Sequence, residues 1–137
     1  MSVITYRTGN DLDLDRVIEL YVASTLGARR PVGDRAVMAD MLRHANLIVT
    51  AWDDELLVGI SRSLTDFGYV CYLSDLAVRE SHQKRGIGRE LIRHTRAALG
   101  TRCKVVLLSA PAAVGYYPQL GFEQHPSAWV LPEDRAV

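Results

Sequence analysis

The spacing of apolar residues changes several times along this chain, and each change marks a new element. Residues 3–7 are a short strand candidate closed by Gly9 and Asn10. Asp11 or Asp13 stands where a carboxylate can accept from the free N–H groups of a helix start, and Leu14, Val17, Ile18, Tyr21 and Val22 then recur at helical spacing, ending before Gly27. Residues 24–33 mix small residues, two arginines and a proline, which suits a loop. A second helix over residues 34–44 gathers Val37, Met38, Met41 and Leu42 on one side. From Asn46 the period shortens. Residues 47–52 and 56–64 are apolar runs around Asp53, Asp54 and Glu55, the pattern of a β-hairpin, and after a turn at residues 65–68 a longer strand covers 69–78. Helical spacing returns with Ile87, Leu91, Ile92, Thr95 and Leu99 and stops at Gly100. Residues 104–108, apolar after Lys104, predict a strand in the middle of a sheet covered on both faces. Residues 112–120 predict a short helix, and 122–131 one or two strands interrupted by Pro126. The order predicts a mixed α/β fold: a largely antiparallel central sheet flanked by helices.

A length of 137 residues, with no repeat, linker or low-complexity stretch, predicts a single domain over 1–137. Apolar residues at 48% and charged residues at 23% place it in the globular regime. Lysine plus arginine balances aspartate plus glutamate at 16 each, so no global field attracts nucleic acid or an anionic membrane, and neither is expected as a partner. Any anion must be bound locally. Cys71 and Cys103 lack CxxC spacing, which argues against a zinc site or disulfide framework and for two buried free thiols in a reducing compartment. No metal is expected. The N-terminus has no basic segment followed by an apolar stretch, and no run approaches the ~18 apolar residues of a membrane span, so a soluble, cytoplasmic protein is expected.

Basic side chains cluster at 29–30, 84–89 and 93–104, and only the middle cluster falls on a turn. There QKRGIG spans residues 83–88, after a strand and at a helix start. Gly86 and Gly88 carry no Cβ, so a phosphate can approach the backbone while amide N–H groups converge on it and the helix dipole favours the same charge. Lys84, Arg85 and Arg89 add mobile positive charge. The bland alternative is a solvated basic helix start whose glycines only permit a tight turn. A phosphate loop of the GK[ST] type is excluded because no such residues follow the glycines, and GxGxxG fails at Leu91. The turn is therefore read as gripping the diphosphate of a nucleotide-like cofactor.

The segment LAVRESHQKRGIGRELI, residues 76–92, resembles the acetyl-coenzyme A motif of the GCN5-related N-acetyltransferases through Val78, Gln83, Gly86 and Gly88. AAVGYYPQLGF, residues 112–122, is similar to that family's second signature, and the order of elements matches from Val3 onward. The resemblance implies that Leu76, Ala77 and Val78 present backbone groups to the pantetheine arm, and that the amides of Lys84, Arg85, Gly86, Ile87, Gly88 and Arg89 hold the pyrophosphate. It also implies a sheet splayed between the strands ending at Val78 and near Leu108, with the thioester in the gap. Tyr117 matches the tyrosine that protonates the departing thiolate, and Tyr116 is expected to pack. Two departures stand out. Ala110 replaces an asparagine whose amide contacts coenzyme A in many relatives, a contact that Ser109 can partly replace. Ser74 stands where some polyamine-acetylating relatives carry an acid.

Candidate bases for the attacking amine are Asp75, Glu19, Tyr72 and His82, directly or through water. Asp75, in an otherwise apolar strand, is either that base or a structural acid bonding the first helices. Strict alternation places Tyr72, Ser74, Leu76 and Val78 on one face and Cys71, Leu73, Asp75 and Ala77 on the other. Tyr72 and Ser74 are acceptor-side candidates. Arg29 and Arg30 either recognise an acceptor carboxylate or belong to a solvated loop. Trp52 and Trp129 are expected to pack at sheet ends, with an acceptor cleft or dimer contact as alternatives for Trp129. The resemblance thus implies transfer of acetyl from acetyl-CoA to a primary amine of a small molecule by direct attack, in a family whose small members often form homodimers. Its alternatives are a catalytically weak coenzyme A-binding regulatory domain, and an acetyltransferase acting on protein N-termini or lysines.

Overall fold

The computed structural model describes residues 3–137, so the first two residues of the expected domain lie outside the described residues. Strand β1 (Ile4–Thr8) leads into helix α1 (Leu14–Val22), a 3₁₀ turn (Thr25–Arg29) and helix α2 (Arg35–His44). Strands β2 (Leu47–Asp53), β3 (Leu56–Thr65) and β4 (Val70–Val78) follow, then helix α3 (Ile87–Ala97) and strand β5 (Lys104–Val106). Of the two aspartates offered as the first helix cap, Asp13 serves, its carboxylate accepting from Asp15 N–H, and Asp34 caps α2 by accepting from Val37 N–H. Asn10 reaches across to donate to the carbonyls of Leu42 and Ala45 at the end of α2.

The sheet runs β1-β2-β3-β4-β5, antiparallel except for the parallel pair β4-β5. On one face Val17, Leu20 and Tyr21 of α1 and Met38 and Leu42 of α2 pack on Ile48, Trp52, Ile60 and Ala77. On the other, Ile87 and Leu91 of α3 meet Val49, Ala51 and Val58. Each fully buried leucine or isoleucine here contributes about 1.5–3 kcal/mol of apolar burial, which is what holds the α3 N-terminus against the end of β4.

Strict alternation along β4 fails, and the reason is a bulge. Ser61 and Ser63, two apart on β3, pair with Leu76 and Leu73, which are three apart. The extra residue at Ser74 changes which parity faces which helix. Cys71 therefore packs with Leu47, Cys103 and Leu99 at the end of α3, whereas Asp75 and Ala77 turn toward α1. Cys71 and Cys103 are buried free thiols.

The C-terminal third departs most from the sequence pattern. The strand expected over 104–108 ends at Val106 and lies at the sheet edge with Lys104 exposed, because it pairs with β4 only from Val70 to Tyr72. The helix expected over 112–120 is broken into 3₁₀ turns at Pro111–Ala113 and Tyr117–Leu120, since Pro118 has no N–H to continue an α-helix. No strand forms over 122–131, and Trp129 is 92% exposed there rather than packed at a sheet end. Trp52 does pack, 6% exposed, with its indole N–H donating to Thr50 Oγ1.

Candidate functional site

Beyond Tyr72 the two parallel strands part, leaving one edge of β4 from Leu73 to Val78 without a strand partner. A strand edge with open N–H and C=O groups is a template for an extended amide-bearing ligand. Gln83 secures the turn that follows, its side-chain amide donating to the Val78 carbonyl at 3.1 Å. Lys84 at φ 63° and Gly86 at φ 79° then curl the backbone through left-handed conformations into the start of α3. Gly88 has a separate reason to lack a side chain: a Cβ there would lie 2.8 Å from the Tyr116 hydroxyl. That hydroxyl is thus poised over the helix start, a placement beyond the packing role expected for Tyr116.

A cavity of about 400 Å³ runs along this surface, bounded by Leu76, Ala77 and Val78 on one side and by the turn on the other. Gln83, Lys84, Gly86, Ile87, Gly88 and Arg89 all line it, while Arg85 and Ser109 do not. The Ile87 side chain is 2% exposed, wedged between helix and sheet, so it contributes backbone rather than side chain. The open strand edge, the left-handed turn, the open space beside Gly86 and the two cations Lys84 and Arg89 fit an elongated diphosphate-bearing group such as acetyl-CoA.

A second cavity, of about 110 Å³, continues from the first across the gap between β4 and β5. The two share Thr25, Leu26, Leu76, Ala113 and Tyr117 as common wall. Tyr117 is edge-on to Tyr116 at 5.3 Å and to Phe122 at 5.4 Å. Burial raises its pKa above the ordinary phenol value, as does the neighbouring Tyr116, so its hydroxyl stays protonated at neutral pH.

Arg29, Arg30 and Ser74 line the smaller cavity, as do Leu108 and Ala110. The other acceptor-side and base candidates sit elsewhere. Tyr72 lines neither cavity. Glu19 is clamped by Arg79 through two bonds of 2.6 and 2.7 Å, which hold its pKa low. His82 Nε2 lies 2.8 Å from Asp53, on the larger cavity.

Asp75 lines neither cavity; its fully buried side chain lies behind Arg30 and Ser74 of the smaller one. One carboxylate oxygen accepts from Arg30 Nε at 2.6 Å, and the other accepts from Arg62 Nε and the Tyr21 hydroxyl, each at 2.6 Å. Burial pushes its pKa up, but the hydrogen bond and charge of Arg62, with the bonds from Tyr21 and Arg30, outweigh burial and hold it below the usual carboxylate value. A carboxylate saturated in this way is a poor proton acceptor for an amine in the cavity. The alternative of a structural acid bonding the first helices is the one this geometry supports, through Tyr21 of α1, whereas Arg62, on the neighbouring strand β3, carries no signal in the sequence near Asp75. Among the described residues no cluster of side chains suited to a metal ion occurs, and no helix is long and apolar enough to cross a membrane.

Comparison with known proteins supplies the remaining evidence. The family model described as "Acetyltransferase (GNAT) domain" matches residues 44–124. A search of curated proteins finds no match. Among solved structures, the chain is similar to a GNAT-family acetyltransferase of Streptococcus pneumoniae at 26% identity, with 96% of this chain and 100% of that one covered and a TM-score of 0.74. It shares its fold with an aminoglycoside N-acetyltransferase in complex with CoA (18% identity, 98% and 97% covered, TM-score 0.74) and with an acetyltransferase of Trypanosoma brucei (24%, 95% and 99%, 0.67). The family match spans both the glycine turn and the tyrosine pair that line the larger cavity, and the chain belongs to the GNAT acetyltransferase family.

Proposed function

We propose that the protein transfers an acetyl group from acetyl-CoA to the primary amine of a small molecule, by direct attack with both substrates bound. The observation that carries this reading is the junction of the two cavities at Leu76 and Tyr117. The larger cavity has the strand edge and glycine turn for the donor, and the smaller opens on the same tyrosine from the opposite side. Bound acetyl-CoA would supply the activated thioester. Leu76, Ala77 and Val78 orient the pantetheine arm by backbone pairing, and the amides around Gly86 and Gly88, with Lys84 and Arg89, hold the diphosphate. Tyr117 donates its proton to the leaving thiolate, and the proton that the amine loses on acylation returns to the tyrosinate through solvent. The rest of the rate comes from alignment of amine and carbonyl across the gap. Asp75 is a positioning residue in this scheme, fixing Arg30 and Ser74. Direct attack is favoured because both cysteines are buried away from the cavities, with the Cys71 thiol further raised in pKa by burial.

Calorimetric titration with acetyl-CoA, compared with dephospho-CoA, followed by an amine screen read by thiol release, tests the proposal. Saturable one-to-one binding and amine-dependent thiol release are expected. Absence of binding by folded protein would remove the donor site, and binding without turnover on any amine would leave only a coenzyme A-binding domain. Gly86→Glu should weaken acetyl-CoA binding by about tenfold or more, since it places a Cβ at φ 79° and a carboxylate at the diphosphate. Undiminished affinity in that variant, with an unchanged melting temperature, would put the diphosphate elsewhere.

A further inference from the structure

We infer that the amine acceptor itself carries a carboxylate, and that Arg29 binds it; this deepens the transferase reading above and rests on it. The smaller cavity has two charged lining residues, Arg29 and Arg30, and its other titratable lining group is Tyr117. Both charges are positive.

The two arginines have different work. Every nitrogen of the Arg30 guanidinium is engaged: Nε with Asp75 at 2.6 Å, Nη2 with the Ser74 carbonyl at 2.8 Å and Nη1 with the Arg29 carbonyl at 2.9 Å. Arg30 is therefore part of the wall, and its last bond also fixes the backbone from which Arg29 projects. Asp75 is shared between Arg30 and Arg62, so the cluster keeps one unit of positive charge. Arg29 is exposed at the end of the Thr25–Arg29 turn, and among the described residues no carboxylate forms an ion pair with it.

A guanidinium presents a planar fork of donors that matches a carboxylate. A polyamine or polycationic sugar would meet like charge on this wall and no acid to offset it. The same field favours the neutral form of an amine beside it, because a neighbouring cation lowers an ammonium pKa. That compensates for a cavity lined by no carboxylate base. At about 110 Å³ the cavity is well below the ~300–1,000 Å³ of drug-sized sites, which suits an amine and a carboxylate separated by a short spacer, as in an amino acid.

The test is a thiol-release assay on matched acceptors: common amino acids, their carboxamides, and diamines of the same length. The carboxylate form should be preferred in kcat/KM by about tenfold or more. Arg29→Ala should bring the acid-to-amide ratio close to one, and Arg29→Lys should retain part of it. Equal or better turnover of amides and diamines would overturn the inference while leaving the transferase reading intact. So would an Arg29→Ala variant that slows acid and amide alike. Acetyl-CoA binding without turnover on this panel would overturn the inference, and without turnover on any amine of the broader screen it would overturn the transferase reading as well.

Discussion

Replacing Asp75 by alanine should lower the free energy of unfolding by about 3–5 kcal/mol, the cost of leaving a buried guanidinium without its counter-charge. Arg62, with 8% of its side chain exposed, cannot turn to solvent, and Arg30 and the Tyr21 hydroxyl lose the same acceptor. For a domain whose whole stability is of the order of 5–15 kcal/mol, that is a large share. Urea denaturation of wild type and variant measures it directly, and a difference below about 1 kcal/mol would show that the hub contributes no net stability. The effect should depend on pH in a defined direction. Because the folded-state pKa of Asp75 is depressed below its unfolded value, its contribution is complete above the ordinary carboxylate range near pH ~4 and fades as pH falls through the lower folded value. The gap between wild type and Asp75→Ala should therefore narrow in acid.

Tyr117→Phe should reduce kcat by about 100-fold or more while acetyl-CoA affinity is retained, since only the phenol proton is removed from a general acid and the ring that packs on Tyr116 and Phe122 remains. The raised pKa of Tyr117 sets the sign of the pH dependence: activity limited by its protonated form should hold through neutrality and fall only above about pH 10. In the phenylalanine variant that alkaline limb should vanish. Tyr116→Phe serves as comparison, because its hydroxyl faces Gly88 on the donor side alone. A single-turnover rate unchanged by Tyr117→Phe would take this hydroxyl out of the reaction.

Much of the scaffold was legible in the residues before any coordinates. Local chemistry writes the first five elements plainly: Asp13 and Asp34 cap the helices they precede, and the Asp53 to Glu55 break separates the strands of a hairpin. The glycine turn is equally legible at Gly86, whose positive φ only glycine meets easily, whereas the space a Cβ would fill at Gly88 is taken by the Tyr116 hydroxyl, which the sequence reading leaves to packing. After residue 104 the pattern and the structure part, because apolar content there does not translate into pairing. Val106 and Leu108 are exposed, and Pro118 interrupts what composition alone suggests is a helix.

By itself, then, the sequence determined the order of elements as far as β5, the glycine turn and the aromatic pair, all of which depend on residues close together in the chain. Tertiary structure alone decided what those parts enclose. The bulge at Ser74 turns Asp75 toward α1, where Tyr21, Arg62 of β3 and Arg30 converge on it. The parting of β4 from β5 after Tyr72 lets the larger and smaller cavities meet at Tyr117. Both outcomes depend on an interrupted strand pairing and on contacts between residues up to 54 positions apart, and neither is contained in the alternation read along a single strand.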